Sequence, residues 1–127
     1  MNHRNTLLVT SALFGVTLSL FGVQAQAAGD AAAGAGVFNE ECADCHSMKE
    51  GKNKKGPSLF GVMGRRSGSI ADYEYSAGMK AANLIWTEEQ ISGYIGGPKA
   101  IVPTGKMKYD GLVDAQARAD VIAFLGK

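Results

Sequence analysis

The chain has 127 residues, of which 46% are apolar and 20% are charged, and this composition is typical of one small folded domain and not of a disordered segment. Its 13 Lys and Arg side chains are balanced by 12 Asp and Glu, which excludes a protein that binds nucleic acid through a bulk excess of positive charge. Only two cysteines occur, Cys42 and Cys45, and a disulfide between them would close too short a loop to add much stability.

The first 27 residues have the pattern of a secretory signal. Arg4 supplies a positive charge, an uncharged apolar run covers residues 7–23, and the triplet Ala-Gln-Ala at 25–27 has the small residues of a cleavage site. We expect cleavage after this triplet and a periplasmic mature protein of residues 28–127. The alternative is a retained membrane anchor, for which a run of about 17 residues is at the lower limit of length.

Three helices are predicted in the mature chain. The first has Asp30 as its N-cap and runs towards Cys42. The second begins at Thr87 with a capping-box pattern and ends at the Gly-Gly-Pro of residues 96–98. The third starts near Asp114 and is the clearest amphipathic helix. Its apolar stripe consists of Ala117, Val121, Phe124 and Leu125.

The stretch between the first and second helices, residues 47–86, is rich in glycine and has scattered aromatic residues. The pattern is too irregular for strands, in which apolar and polar residues would alternate. A loop of this length inside a compact domain needs something to pack against. The sequence therefore predicts an all-α domain whose loops wrap around a large planar cofactor.

Residues 42–46 read C-x-x-C-H, the signature of c-type haem attachment. Two thiols one helical turn apart can form thioethers with the two vinyl groups of one haem, and the imidazole of His46 then binds the iron. The C-x-x-C part also occurs in zinc sites and thiol oxidoreductases. Zinc would need two further good ligands, and residues 28–127 contain no third cysteine and no second histidine. An oxidoreductase would need a strand before the motif, where a helix is predicted.

The second axial ligand of a haem bound by His46 has to come from another part of the chain. Methionine is the natural candidate, because His/Met ligation is typical of cytochromes c. Met48 is too close to His46 in sequence to reach the other haem face. Met63 and Met79 lie in stretches where methionine is more often a core residue. Met107 lies in a loop between two predicted helices, and we predict it as the ligand.

From residue 29 to its end the chain resembles the class I c-type cytochromes, in the mitochondrial and bacterial soluble branch. The resemblance lies in GDAAAGAGVF before CADCH, GPSLFGVMGRRSG at 56–68, the tyrosines of 73–76 with Trp86, residues 94–98, PTGKM at 103–107 and RADVIAFL at 118–125. It implies a single domain with three main helices and shorter ones around one covalently attached haem c. It also implies a soluble one-electron carrier and not an enzyme.

The resemblance assigns roles to individual side chains around this haem. Pro57 would accept a hydrogen bond from the axial histidine and fix its ring, as groups around metal ligands do. Arg65, Tyr75 and Trp86 would hold the haem propionates, since buried carboxylates need strong hydrogen bonds. Tyr75 and Trp86 would also serve as ordinary aromatic core. The hydroxyl of Tyr94 would approach the methionine sulfur.

Two further matched positions concern the frame and the pocket. Gly34 and Phe38 resemble the contact by which the first helix crosses the last one near Phe124, where a glycine permits close approach. Met79 stands where the family commonly has asparagine, which makes the haem pocket less polar on that side.

Redox proteins are the implied partners: a cytochrome bc-type donor, and a terminal oxidase, a photosynthetic reaction centre or a dehydrogenase. Transient docking would be steered by lysines around the haem edge. These are Lys52, Lys54, Lys55, Lys99, Lys106 and Lys108. Acidic side chains are expected on the opposite side, namely Glu40, Glu41, Asp44, Asp72 and Glu74. No nucleic acid is expected as a partner, contact with membranes would occur only through partners, and the protein would be a monomer.

Two alternative functions stay open at this point. In a haem enzyme or gas sensor, Met107 would dissociate and leave an iron position for a ligand. In a thiol oxidoreductase without haem, Cys42 and Cys45 would remain unmodified and reactive.

Overall fold

The structure is a computed structural model that describes residues 28–127, so the signal predicted for residues 1–27 lies outside it. The described chain forms α1 (Ala31–Val37), α2 (Ala77–Ala81), α3 (Glu88–Gly96), α4 (Pro98–Ile101) and α5 (Ala115–Leu125). A π-helical turn, Phe38–Cys42, continues α1. Within residues 28–127, β pairing is limited to one isolated bridge, between Arg66 and Ile85. The prediction of an all-α domain with three main helices and shorter ones is confirmed.

The three main helices begin at the predicted N-caps. Asp30, Thr87 and Asp114 each accept a hydrogen bond from a backbone N–H in the first turn, at 2.8, 3.2 and 2.8 Å. The capping box at Thr87 is only half formed, because the Thr87 N–H donates to the Ile85 carbonyl at 2.8 Å. α3 ends at Gly96 as predicted, but Pro98 then starts α4, a short helix that the sequence analysis did not predict.

α1 crosses α5 at a distance that only glycine permits. A Cβ atom on Gly34 would lie 1.9 Å from the Asp120 carbonyl oxygen and 3.0 Å from Phe124 Cβ. Next to this point the rings of Phe38 and Phe124 pack with their centroids 5.4 Å apart. The Asp30 N–H also donates to the Asp120 carboxylate at 2.8 Å. The close contact implied by the resemblance is therefore present.

The buried face of α5 overlaps only in part with the predicted stripe. Val121, Ile122 and Leu125 are buried, whereas Ala117 and Phe124 are only half-buried. Ile122 lies outside the predicted stripe but belongs to the buried core, and α5 packs against both α1 and α3. No helix in the described part of the chain is both long and apolar enough to cross a bilayer.

The glycine-rich stretch between α1 and α3 is held in place by buried serines. Ser58 Oγ donates to the Lys49 carbonyl at 2.6 Å, and Ser67 Oγ accepts from the Leu84 N–H at 3.0 Å. Both serines are 3% exposed, so their hydrogen bonds replace those that water would make. These bonds join parts of the stretch that are 9 and 17 positions apart.

Candidate functional site

The helices and the long loop enclose one large cavity of about 450 Å³. Its walls come from residues 41–46, the loop between α1 and α2, α2 itself, α3, the segment between α4 and α5, and α5. The lining is mostly apolar and includes Leu59, Val62, Met79, Trp86, Ile91, Ile95, Val121 and Leu125. The volume and this lining are typical of a pocket for a cofactor.

The site residues predicted from the sequence all line this cavity. They are Cys42, Cys45, His46, Pro57, Arg65, Tyr75, Trp86, Tyr94 and Met107. Met79 lines it as well, whereas Met48 and Met63 pack against the core outside it. The fold therefore places two methionines, Met79 and Met107, where a thioether can reach a group bound in the cavity.

The two cysteines lie where the π-helical turn ends. The Ala43 N–H donates to the Phe38 carbonyl at 2.9 Å, and the Cys45 N–H then turns back to the Cys42 carbonyl at 3.1 Å. Both side chains are half-buried free thiols. Burial, with a contribution from the Glu41 carboxylate, raises the pKa of Cys42 to about 11. The Cys42 thiol is therefore protonated at neutral pH, which is opposite to what a reactive thiol oxidoreductase requires.

His46 is held in one tautomer by its contact with Pro57. Nδ1 lies 2.7 Å from the Pro57 carbonyl oxygen, which can only accept, so Nδ1 carries the proton and Nε2 keeps its lone pair. Burial is the main cause that lowers the pKa of His46, and the charges of Arg65 and Lys54 lower it further, against the opposing effect of Pro57. A neutral imidazole with a free Nε2 is the form that binds a metal.

Gly56 makes room for this imidazole, a role that the sequence analysis did not identify. A Cβ atom on Gly56 would lie 2.4 Å from His46 Cε1. The Gly56 N–H also donates to the Cys45 carbonyl at 2.8 Å. Gly56 is the first residue of the matched segment at 56–68, but nothing in the sequence explained a glycine at this position. The structure shows that the His46 ring occupies the space that a side chain would need.

Arg65, Trp86 and the tyrosines form the polar and aromatic part of the wall. The Arg65 guanidinium donates to the carbonyls of Ser58 and Phe60 at 2.9 and 3.0 Å, which fixes a cation beside the cavity. The Trp86 and Tyr94 rings pack with centroids 5.1 Å apart. Burial raises the pKa of Tyr94, so its hydroxyl stays protonated at neutral pH.

A contact that the sequence analysis missed joins Tyr109 to Glu41. The Tyr109 hydroxyl donates to Glu41 Oε2 at 2.7 Å. Burial and the Glu41 carboxylate both raise the pKa of Tyr109, in agreement with a hydroxyl that keeps its proton. The two residues are 68 positions apart, and no local pattern links them.

The acidic side chains are not all opposite the lysines, and this corrects the sequence expectation. Glu41 and Asp44 line the same cavity as Lys55, Lys106 and Lys108. Glu41 is brought there by the π-helical turn that also presents the adjacent cysteine. The three other lysines expected at this edge, Lys52, Lys54 and Lys99, are exposed but do not line the cavity. The surface around its mouth therefore has mixed charge.

The donor set of the cavity fits a covalently attached haem. Two thiols follow each other at the end of one helical turn, and an imidazole with a free Nε2 lies next to them. Thioether side chains and apolar walls provide the rest of the enclosure, and a fixed guanidinium provides a partner for a carboxylate.

Comparisons with known proteins agree with this geometry. A sequence model of the family described as Cytochrome c matches residues 31–127. Cytochrome c of Guizotia abyssinica is 42% identical over 99 residues, which cover 77% of this chain and 89% of the relative. Cytochrome c2 of Rhodopila globiformis is 44% identical over 97 residues, covering 76% and 92%. Cytochrome c of Theileria annulata is 44% identical over 98 residues, covering 76% and 84%.

Proposed function

The chain belongs to the cytochrome c family, and on that basis we propose that it is a one-electron carrier with His46 and Met107 as its axial ligands. Like the family, it is an electron-transfer protein and not an enzyme, and it carries one covalent haem c. When bound, the haem supplies a one-electron Fe(II)/Fe(III) couple. The protein supplies attachment, axial ligands and a largely apolar enclosure.

One observation carries the ligand proposal: His46 has its Nδ1 engaged by Pro57 in the same cavity that Met107 lines. The Pro57 carbonyl holds the ring so that Nε2 is the atom available to iron. Cys42 and Cys45 would attach the haem covalently as thioethers, so in the mature protein neither sulfur would remain a free thiol. Arg65, Tyr75 and Trp86 hold the propionates in this proposal.

Met107 is preferred over Met79 because of the segment that carries it. Met107 is half-buried between two exposed lysines, Lys106 and Lys108, so its side chain points inward from a non-helical stretch. Met79 lies within α2, whose N-cap Ser76 accepts a hydrogen bond from the Met79 N–H at 3.1 Å. The helix fixes the Met79 backbone, whereas the coil segment at Met107 can adapt to the distance that a bond to iron requires.

The experiment compares Met107→Ala with Met79→Ala in the haem-loaded protein. We expect Met107→Ala to abolish the sulfur-to-iron charge-transfer band of the oxidised protein and to lower its midpoint potential, because thioether ligation raises the potential. Met79→Ala, which removes a thioether of the same size from the same cavity, should keep the band. Loss of the band in Met79→Ala alone would assign the ligand to Met79, and retention of it in both variants would end the His/Met proposal.

We also propose export to the periplasm after cleavage following residue 27. The proposal is supported by the signal pattern of the first 27 residues and by the family match, which begins downstream at residue 31. Determination of the N-terminal sequence of the mature protein tests it, since an intact leader would instead indicate a retained anchor.

The partners are redox proteins, and we propose a cytochrome bc-type donor together with a terminal oxidase, a photosynthetic reaction centre or a dehydrogenase. Lys55, Lys106 and Lys108 are the exposed cations that line the cavity mouth. In this proposal a partner docks over that mouth.

A further inference from the structure

The segment that carries Met107, residues 102–114, joins α4 to α5, and we call it the methionine segment. Its ends are fixed by backbone hydrogen bonds from the Val102 N–H to the Pro98 carbonyl at 2.9 Å and from the Leu112 N–H to the Ile95 carbonyl at 2.8 Å. Lys106 Nζ also donates to the Glu74 carbonyl at 3.0 Å.

Between Lys106 and Leu112, one hydrogen bond ties the methionine segment to the rest of the described chain. It is the bond from the Tyr109 hydroxyl to Glu41 Oε2, 2.7 Å long. Glu41 belongs to the π-helical turn and directly precedes Cys42. The bond therefore connects the methionine segment to the part of the chain that attaches the haem.

Exposure alternates along the methionine segment around Met107. Lys106, Lys108 and Asp110 are exposed, whereas Met107 and Tyr109 are half-buried. In an extended stretch, residues two apart face the same side. The alternation therefore places Met107 and Tyr109 on the same, less exposed side of the segment, and a bond that holds the Tyr109 ring restrains the backbone that carries Met107.

We propose that the hydrogen bond between Tyr109 and Glu41 is a latch that holds the methionine segment closed over the cavity and keeps the Met107 thioether directed inward. This inference rests on the proposed role of Met107. Tyr109 is a positioning residue, because it acts on Met107 through the backbone between them. Glu41, in the π-helical turn next to Cys42, acts as its anchor.

The size of the effect follows from the type and exposure of the bond. A hydrogen bond from a hydroxyl to a carboxylate is stronger than one between two neutral groups. Glu41 is exposed, however, so water competes for its carboxylate oxygen atoms. We expect removal of the bond to increase opening of the methionine segment by roughly fivefold to tenfold. An effect of this size leaves the fold intact and is measurable as a local change.

The test uses Tyr109→Phe, which keeps the ring and removes only the hydroxyl, in the haem-loaded protein. Two rates are measured: hydrogen exchange of the Leu112 amide, and displacement of the native sixth ligand by added imidazole, followed by absorption. Both should rise by roughly fivefold to tenfold. Exchange of the Ile91 amide, which is bonded to the carbonyl of the N-cap Thr87 at the start of α3, should stay unchanged, because a general loss of stability would raise the exchange rates of both amides together.

Tyr73→Phe is the matched control. Its hydroxyl also makes a 2.7 Å bond, to the Lys55 carbonyl, and Tyr73 lines the same cavity, but it lies outside the methionine segment. We expect it to change neither rate. Glu41→Ala removes the acceptor of the latch and should raise both rates as Tyr109→Phe does. Glu41→Gln keeps an acceptor oxygen, so its two rates should lie between those of the wild type and Glu41→Ala.

The latch is refuted if Tyr109→Phe and Glu41→Ala leave both rates at the wild-type values, or if Tyr73→Phe raises them as much. Failure of the ligand proposal is recognised separately. If Met107→Ala retains sulfur ligation, Met107 is not the ligand, and displacement by imidazole does not report on Met107. Hydrogen exchange of the Leu112 amide still shows whether the bond between Tyr109 and Glu41 holds the methionine segment. If Tyr109→Phe does not fold, the two Glu41 variants decide the question.

Discussion

Replacement of Gly56 by alanine tests how tightly the axial histidine is packed. The added Cβ atom would lie 2.4, 2.8 and 2.9 Å from His46 Cε1, Nδ1 and Nε2. Ordinary contacts of a Cβ atom begin near 3.4 Å, so the ring and the backbone of residue 56 have to separate by about 1 Å. Neither side can move freely, because Gly56 is buried with its N–H bonded to the Cys45 carbonyl, and the His46 ring is held by the Pro57 carbonyl.

The separation acts on the hydrogen bond that orients the ring. Nδ1 and the Pro57 oxygen are 2.7 Å apart, and a shift of about 1 Å takes them beyond hydrogen-bonding distance. Loss of the bond costs about 1 kcal/mol, and the overpacking costs about 1–3 kcal/mol. We therefore expect Gly56→Ala to lower the free energy of unfolding of the haem-loaded protein by about 2–4 kcal/mol.

Denaturant unfolding measures this change, and Gly93→Ala is the control. Gly93 lies within α3, and its added Cβ would meet nothing within 4 Å, so alanine there should stabilise by up to about 1 kcal/mol. The NMR signal of the His46 Nδ1 proton in the reduced protein gives a second reading, which should move or exchange faster in Gly56→Ala. A variant as stable as the wild type with this signal unchanged would refute the packing argument.

Two further predictions concern the helix crossing and the buried tyrosine. Gly34→Ala should lower the free energy of unfolding by about 2–3 kcal/mol, because its added Cβ atom meets the Asp120 carbonyl. In the control Gly36→Ala, the added Cβ atom meets nothing within 4 Å, so this variant should be no less stable than the wild type. Thermal unfolding measures the stability of both variants. Tyr94 has its pKa raised by burial above the ordinary 10.0, so above about pH 10 the folded state binds more protons than the unfolded state and stability falls as pH rises. Between about pH 9 and about pH 11, the free energy of unfolding should therefore fall less in Tyr94→Phe than in the wild type. An equal fall in both proteins would contradict a raised pKa of Tyr94 in the folded state.

The sequence predicted those parts of the fold that depend on short-range patterns. The N-caps Asp30, Thr87 and Asp114 were recognised because the capping side chain and its helix are adjacent in sequence. The C-x-x-C-H motif was recognised for the same reason. The resemblance to the family also predicted contacts between residues that are farther apart in sequence. One example is Pro57, whose carbonyl oxygen lies 2.7 Å from His46 Nδ1.

The features that the sequence missed depend on backbone geometry or on distant contacts. The π-helical turn over Phe38–Cys42 interrupts the regular helical period on which sequence patterns depend, and Glu41 in this turn lines the cavity together with Cys42. The contact of Glu41 with Tyr109 joins residues 68 positions apart. The acidic side chains were placed opposite the lysines only because the balanced total charge requires an uneven distribution for steering, and a total charge carries no information about where each residue lies.

The two glycine substitutions differ in what they disturb, and the reason lies in the two faces of α5. Val121 and Leu125 face the cavity, whereas Asp120 and Phe124 contact α1. The residues of α1 up to Val37 do not line the cavity, so a methyl group at Gly34 separates two scaffold helices without touching a residue beside the haem. We therefore expect Gly34→Ala to reduce stability while the oxidised spectrum stays that of the wild type. Gly56→Ala should alter stability and the histidine together, because the added methyl group meets the ligand itself.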